Sequence, residues 1–254
     1  MSDELQVARH GATQVITINR PLAKNALNAA VAVGIRDAVD ELDADADLRV
    51  GVLTGAGGNF SSGMDLKAYL QGETPEIEGR GLCGITETAP RKPLIAAVEG
   101  WALAGGFELL LACDLVVAAR TARFGVPEVK RALVAGGGAA LLLARRVAPA
   151  LALELLLTGD PIEAERAAAI GLVNTVVEEG AALDAALDLA ERIAANGPLA
   201  VAVTKQISRA GTEWTVADGW RQQRALLEPV FASEDAREGA TAFAEKRAPV
   251  WRGR

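Results

Sequence analysis

The hydrophobic pattern changes from the period of a strand to that of a helix near the start of the chain. Apolar and polar residues alternate over 5–9 and 13–19, on either side of Gly11, which predicts a β-hairpin. Apolar residues then recur at helical spacing as far as about Leu42, and Asn28 is suited to cap the start of this helix. The chain is therefore expected to begin with two strands followed by a helix.

Further along, short apolar runs typical of buried strands alternate with helical patterns. The strands are predicted at 50–54, 94–98, 115–118 and 173–177, and the helices at 106–113, 136–145, 150–157 and 162–169.

The segments between these elements carry the signals of loops and turns. We expect a glycine-rich loop at 55–67, a loop with one short helix at 72–92, and a turn at 124–128. Only helices are predicted after residue 177, as far as about residue 246. This order favours an α/β fold with a parallel-type sheet and a C-terminal helical region.

Composition narrows the class of protein. The 254 residues are 50% hydrophobic and 23% charged, which allows one large domain or one domain with an appendage. The net charge of −7 argues against a general nucleic-acid binder. Local lysines and arginines can still bind the phosphates of a small anionic ligand.

We expect no signal peptide and no membrane span, because no basic segment precedes an apolar core and no apolar run is long enough. Cys83 and Cys113 lie outside any CxxC or Cys/His cluster, so neither a structural zinc site nor a disulfide framework is expected. These features favour a cytoplasmic protein.

His10 is the single histidine of the chain. A Ser-His-Asp triad would have to use it, although it lies between two predicted strands at the start of the sequence. Carboxylates are therefore the better candidates for acid–base chemistry.

The stretch 101–114 is predicted to be a turn that becomes a helix. Gly105 and Gly106 allow a tight bend and a close approach to a ligand. N–H groups at a helix start have no intrahelical partner, and the helix dipole adds a positive potential there. Such a place can stabilise a developing oxygen anion. Glu108 follows in apolar company, where it either faces water or has a chemical role.

A second carboxylate, Glu128, follows Glu108 after one predicted helix, one strand and one turn. That separation can return both side chains to the same end of a sheet, where two carboxylates can share acid–base work. The alternative is that both are ordinary exposed residues. The glycine loop at 55–63 carries neither a triphosphate-binding motif nor a GxGxxG fingerprint, so a flexible turn also remains open for it.

Taken together, these segments resemble the crotonase, or enoyl-CoA hydratase, superfamily. The matching stretches are RPLAKNAL (20–27), FSSGMDLK (60–67), GGFELLLACD (105–114), FGVPE (124–128), GGG (136–138), LTGD (157–160) and EKRAP (245–249).

The resemblance covers essentially the whole chain and implies a crotonase-type ββα superhelix with a C-terminal helical oligomerisation region. It places the core with its acyl-CoA site in residues 1–195 and the helical region in 196–254. Homotrimers, or hexamers built from two trimers, are implied as well.

The resemblance also implies roles for individual residues. The backbone N–H groups of Met64 and Gly105 would form an oxyanion hole for the thioester, Glu108 would deprotonate the attacking water, and Glu128 would orient that water and protonate the α-carbon. No metal is implied, and no cofactor beyond the coenzyme A of the substrate. The residues implied in substrate and CoA binding are Lys24, Ala26, Ser62, Gly63, Asp65, Leu66, Lys67, Gly106 and, from a neighbouring subunit, Lys246.

Retention of both glutamates favours reversible hydration of a trans-2-enoyl-CoA to a 3-hydroxyacyl-CoA. Two alternatives remain: isomerisation of an enoyl-CoA or another reaction of the superfamily, and a non-catalytic acyl-CoA binder. Ala104 and Ala135 replace a glycine and a proline that many relatives carry, which puts the shape of the pocket in doubt more than the reaction.

Overall fold

The computed structural model describes residues 3–254, and within them the chain forms eleven strands. These are β1 (Leu5–His10), β2 (Thr13–Ile18), β3 (Val50–Gly55), β4 (Glu76–Ile77), β5 (Gly81–Leu82), β6 (Leu94–Val98), β7 (Trp101–Leu103), β8 (Leu115–Ala119), β9 (Arg123–Gly125), β10 (Ile162–Glu163) and β11 (Thr175–Val177).

The same residues form ten α-helices. These are α1 (Ala29–Ala44), α2 (Leu66–Tyr69), α3 (Gly105–Ala112), α4 (Ala139–Arg146), α5 (Pro149–Thr158), α6 (Ala164–Ala169), α7 (Ala182–Ala194), α8 (Pro198–Ala210), α9 (Val216–Phe231) and α10 (Glu234–Glu245). Two short 3-10 helices cover Pro21–Ala23 and Pro127–Arg131.

The main sheet has six strands in the order β1-β2-β3-β6-β8-β11. β1 and β2 form the predicted antiparallel hairpin, and each later strand joins its neighbour in parallel. Asn28 caps α1 as predicted, because its side-chain oxygen accepts a hydrogen bond from Val31 N at 3.0 Å. The prediction of an α/β fold with a largely parallel sheet is confirmed.

Both faces of the main sheet are buried, which explains why its strands read as continuous apolar runs. Val15, Val52 and Ile95 face α7 and pack against its alanines, whereas Ile16 and Leu53 face the larger cluster on the other side. The strands therefore have a firm position between two hydrophobic layers, and the loops at their ends are held in place.

A second sheet, in the order β10-β9-β7, was not expected from the pattern. The segment 124–128 was predicted as a turn and 162–169 as one helix, yet each contributes to a strand of two or three residues. Strands this short carry no readable alternation, and they form because β9 finds partners on both sides.

Other predicted boundaries also differ from the structure. The short helix expected in 72–92 is wrong, because that segment contains the β4–β5 hairpin and the helix α2 lies just before it. The last strand begins at Thr175 rather than at residue 173, and α4 begins at Ala139 rather than at the triple glycine.

The C-terminal helices are tied to the core through Asp114. Its carboxylate pairs with Lys205 at 2.7 Å and Arg209 at 2.9 Å on α8, and it accepts a hydrogen bond from Leu94 N at 2.8 Å. The division into a core of residues 1–195 and a helical region of residues 196–254 stays a prediction. Residues 1 and 2 of the predicted core lie outside the described residues. Within residues 3–254, no helix is long and apolar enough to cross a membrane.

Candidate active site

A cleft of about 560 Å³ opens between the first turn of α3, the β4–β5 hairpin and the 3-10 helix Pro127–Arg131. Seven of the predicted site residues line it: Lys24, Ser62, Met64, Leu66, Gly105, Glu108 and Glu128. A second cavity of about 680 Å³ lies between α8, α9 and α10. The second cavity contains none of the predicted site residues, so the first is the candidate active site.

Two backbone N–H groups stand free beside each other in this cleft. Gly105 N belongs to the first turn of α3, whose first internal hydrogen bond runs from Glu108 N to Ala104 O. Met64 N has no partner because the parallel bridge to Leu27 is formed by Gly63 O and Asp65 N, on either side of Met64. Within residues 3–254, neither nitrogen donates a hydrogen bond.

The two amides are brought together by a close approach of backbone segments. A Cβ atom built on Gly105 would lie 3.5 Å from Met64 N, and one built on Gly63 would lie 2.9 Å from Gly105 N. Gly63 also has φ +92°, a conformation that other residues rarely adopt. Glycine at position 63 is thus required both for space and for backbone conformation.

The tight bend before α3 is made by Ala104 and not by the predicted pair, Gly105 and Gly106. Gly105 and Gly106 have helical conformations, whereas Ala104 has φ 51° and ψ −126°. An alanine in this region is strained by about 1–3 kcal/mol. Gly106 is needed for a different reason: a Cβ atom there would lie 2.4 Å from Ser61 O.

Glu108 is buried in the wall of the cleft, with only 5% of its surface exposed, which excludes the alternative that it faces water. Its Oε1 accepts a hydrogen bond from Ala139 N at 3.0 Å. Burial raises the pKa of Glu108 to about 7, since the hydrogen bonds from Ala139 and Gly137 oppose the shift only in part and the nearby Glu128 adds to it. Glu108 therefore ionises closer to neutral pH than an ordinary carboxyl group does.

Glu128 lies on the 3-10 helix Pro127–Arg131 and is half-buried. Its Oε2 is shielded from solvent and has no hydrogen-bond partner in the described part of the chain. Burial raises the pKa of Glu128, while its own backbone N–H and, to a smaller extent, the positive charge of Arg131 act in the opposite direction. A carboxylate oxygen without a partner in a cleft is available to a ligand or to water.

Other predicted binding residues in the segments 24–27 and 60–67 have structural contacts. Asp65 caps α2 through Lys67 N and Ala68 N, and it pairs with Arg20 at 2.8 Å, which keeps its pKa low. The carbonyl oxygen of Ala26 accepts a hydrogen bond from the same Arg20. These residues hold the loop in place and do not line the cleft.

The three lysines predicted to bind coenzyme A lie in different places. Lys24 is exposed at the edge of the cleft. Lys67 is exposed on α2, and Lys246 is exposed at the C-terminal end of α10 with φ 55°. Neither of these two lines the cleft. A role for them in binding coenzyme A stays a prediction.

The structure adds cleft residues that sequence reasoning missed. Glu76 and Leu82 come from the β4–β5 hairpin, Trp101 from β7, and Arg131 from the end of the 3-10 helix. The first two lie in the segment with the weakest periodicity. Arg131 could have been found from its position three residues after Glu128, had a 3-10 helix been recognised there.

The chain is similar to known proteins over nearly its whole length. A family model described as enoyl-CoA hydratase/isomerase matches residues 9–254. A carnitinyl-CoA dehydratase of Citrobacter koseri is 43% identical, with 100% of both chains covered.

Solved structures are similar over the same length. The crystal structure of enoyl-CoA hydratase EchA1 from Mycobacterium marinum has 59% identity and a TM-score of 0.98, with 100% of both chains covered. That of carnitinyl-CoA hydratase from Mycobacterium avium has 42% identity and a TM-score of 0.79, with the same coverage. The crotonase-type fold expected from the resemblance is therefore confirmed.

The raised pKa of Glu108 predicts a pH-dependent effect of Glu108→Gln on stability. In the unfolded chain this carboxyl ionises near its ordinary pKa of 4.5, so the native protein loses stability as the pH rises from about 4.5 to 7. Glutamine avoids that loss. We expect the variant to match the parent near pH 4.5 and to exceed it by up to about 3 kcal/mol above pH 7.

Urea unfolding at fixed protein concentration across this pH range measures the difference. Glu191→Gln on the exposed side of α7 is the control and should show no such trend. A difference between Glu108→Gln and the parent that stays constant with pH would contradict the prediction.

Proposed function

Since this chain belongs to the enoyl-CoA hydratase/isomerase family and is an enzyme of the hydro-lyase type, we propose that it adds water reversibly to a trans-2-enoyl-CoA. The product is a 3-hydroxyacyl-CoA. The observation that carries this proposal is the meeting of two free backbone N–H groups and two carboxylates in one cleft. Thioester hydration needs both a site for the enolate oxygen and two proton-transfer groups.

In the proposed mechanism the thioester oxygen accepts hydrogen bonds from Met64 N and Gly105 N. Negative charge grows on this oxygen as water attacks the β-carbon, so both bonds strengthen towards the transition state. The loss of one such donor typically costs about 3–4 kcal/mol of transition-state stabilisation. Both donors are backbone groups, which makes the backbone conformation at 63–64 and 104–105 more important than the side chains there.

The two glutamates divide the proton transfers in this proposal. Ionised Glu108 removes a proton from the attacking water, and protonated Glu128 orients the water and delivers a proton to the α-carbon. The raised pKa values of both carboxyl groups support these roles, because each group must gain and lose a proton near neutral pH. The steps need no metal and no cofactor beyond the coenzyme A of the substrate.

A charged cleft wall supports a second candidate within this reaction type: the dehydration of an acyl-CoA whose acyl chain carries a cation. Glu76 faces the cleft, forms no ion pair within residues 3–254 and raises the pKa of Glu108 by repulsion. Trp101 lines the same cleft, and an indole ring attracts quaternary ammonium groups. The name of the similar carnitinyl-CoA dehydratase points to a substrate with such a group.

The surface of the C-terminal helices and the two cysteines support proposals about oligomeric state and location. Several large apolar side chains of the C-terminal helices are exposed, among them Val216, Trp220, Phe231 and Phe243. We propose that this surface joins copies of the chain into a homotrimer or hexamer, because apolar patches of this kind mark interfaces. The buried free thiols of Cys83 and Cys113 support the expectation of a reducing, cytoplasmic environment.

Glu108→Gln and Glu128→Gln should each lower kcat for crotonyl-CoA hydration by about 10²–10⁴-fold, since each removes a proton-transfer group and keeps the shape. Loss of the enoyl-thioester absorbance, with identification of 3-hydroxybutyryl-CoA, measures the reaction. Unchanged binding of butyryl-CoA controls for folding. Near-parental rates in both variants would contradict the mechanism, and a product without a hydroxyl group would favour isomerisation. Binding without turnover would favour the non-catalytic alternative.

Glu76→Gln should separate cationic from neutral substrates. We expect kcat/KM for the trimethylammonium analogue of crotonyl-CoA to fall about 5- to 10-fold, equivalent to roughly 1 kcal/mol, and that for crotonyl-CoA to stay the same. Glu78→Gln, which changes an exposed carboxylate outside the cleft, is the matched control. Equal effects of Glu76→Gln on both substrates would rule out a cation-binding role.

Sedimentation of the native protein should give three or six times the mass of one chain, because association would cover the apolar surface of the C-terminal helices. Trp220→Glu should weaken this assembly, since it buries a charge in the interface. A native protein that sediments as a monomer at micromolar concentration would be inconsistent with the proposed oligomer.

A further inference from the structure

The 3-10 helix Pro127–Arg131 carries a second charged group into the cleft next to Glu128. A 3-10 helix has three residues per turn, so side chains three apart lie on the same face. Glu128 and Arg131 have this spacing, and both line the cleft. The guanidinium of Arg131 also lies back along the helix, where Nη1 is 3.5 Å from Pro127 O.

Arg131 shares the cleft and the 3-10 helix with Glu128 without forming a close ion pair with it. Glu128 Oε2 has no hydrogen-bond partner among the described residues, and no nitrogen–oxygen distance between the two side chains is within 4.0 Å. The carboxylate is therefore free to contact a ligand while it lies in the field of a positive charge one helical turn away. This is the arrangement expected of a group that adjusts the ionisation of a catalytic carboxylate without blocking it.

The other charged groups around Glu128 differ from Arg131 in position or in sign. Glu108 on α3 faces the same cleft and is acidic. Lys130, on the same 3-10 helix, is paired with Asp160 and does not line the cleft. Glu154 on the packed helix α5 is exposed and also lies outside the cleft lining. Glu76 also lines the cleft and is acidic, and Lys24 lines it from the segment before α1. Arg131 is the cleft cation that shares the 3-10 helix with Glu128.

We propose that Arg131 is a positioning residue whose positive charge sets the alkaline end of the pH range in which Glu128 stays protonated and can donate its proton. The inference rests on the proposed hydration reaction, in which one of the two carboxyls must be ionised and the other protonated. With two coupled carboxyls, the pH profile reports properties of the pair. In the proposed reaction the alkaline limb falls where Glu128 loses its proton, so a positive charge beside Glu128 moves this limb to lower pH.

The direction of the effect on Glu128 agrees with this position. Burial raises the pKa of Glu128, and Arg131 is the charged side chain that opposes the shift. Arg131 is itself exposed, so salt should weaken its influence. Changing the ionic strength is therefore a second way to test the electrostatic effect of Arg131 on Glu128.

The test compares the pH profile of kcat/KM for crotonyl-CoA in the parent, Arg131→Gln, Arg131→Lys and the matched control Lys130→Gln. We expect Arg131→Gln to move the alkaline limb to higher pH by about 0.5 or more and Arg131→Lys to restore most of the parental profile. Lys130→Gln should leave the profile in place. The difference between the parent and Arg131→Gln should shrink in 1 M salt.

A readout that does not need activity separates this inference from the proposed reaction. The pH dependence of the unfolding free energy should differ between the parent and Arg131→Gln, and the difference should disappear when both carry Glu128→Gln. If no enoyl-CoA is hydrated yet this coupling is present, the proposed reaction fails and the electrostatic role of Arg131 stands. An unmoved kinetic profile together with no coupling would overturn the role of Arg131.

Discussion

The contact between the loop over 60–64 and the start of α3 is the constraint on which the candidate site depends. Ser61 joins this loop to β7, since its N donates to Trp101 O at 2.9 Å and its carbonyl accepts from Leu103 N at 3.0 Å. Its Oγ donates to Asn25 O at 2.8 Å and accepts from Gly63 N at 3.1 Å. This ladder stops where Met64 and Gly105 meet, which leaves their N–H groups beside each other and available.

Such a site holds several features that are unfavourable in themselves. Ala104 has a strained backbone and Glu108 is a buried carboxyl, and each costs on the order of 1–3 kcal/mol. Met64 N and Gly105 N also lack an acceptor within residues 3–254. They persist because the main sheet between its two hydrophobic layers holds the surrounding segments in place. In the proposed mechanism the thioester oxygen accepts hydrogen bonds from these two amides. The bonds stabilise the bound substrate and, more strongly, its transition state.

The electrostatics of the cleft follow from the same fixed frame. Glu108 and Glu128 come from different elements, α3 and the 3-10 helix, and the rigid frame keeps them close enough to interact. Glu76 and Arg131 then add one negative and one positive charge at the wall of the cleft. Glu108 and Glu128 are the same kind of group but have different neighbouring charges and different burial. Such a difference allows two carboxyl groups to act one as a base and the other as an acid.

The sequence by itself determined the strongly patterned elements: the first hairpin, the helix capped by Asn28, the buried parallel strands and the helical C-terminal region. It also identified Glu108 and Glu128 as candidates through residue type and resemblance. Only the tertiary structure decided the three-stranded sheet of β7, β9 and β10, the bend at Ala104, and the positions of Glu76 and Arg131 in the cleft. Local periodicity reports which face of an element is buried, whereas these features arise from contacts between segments that are distant in the chain.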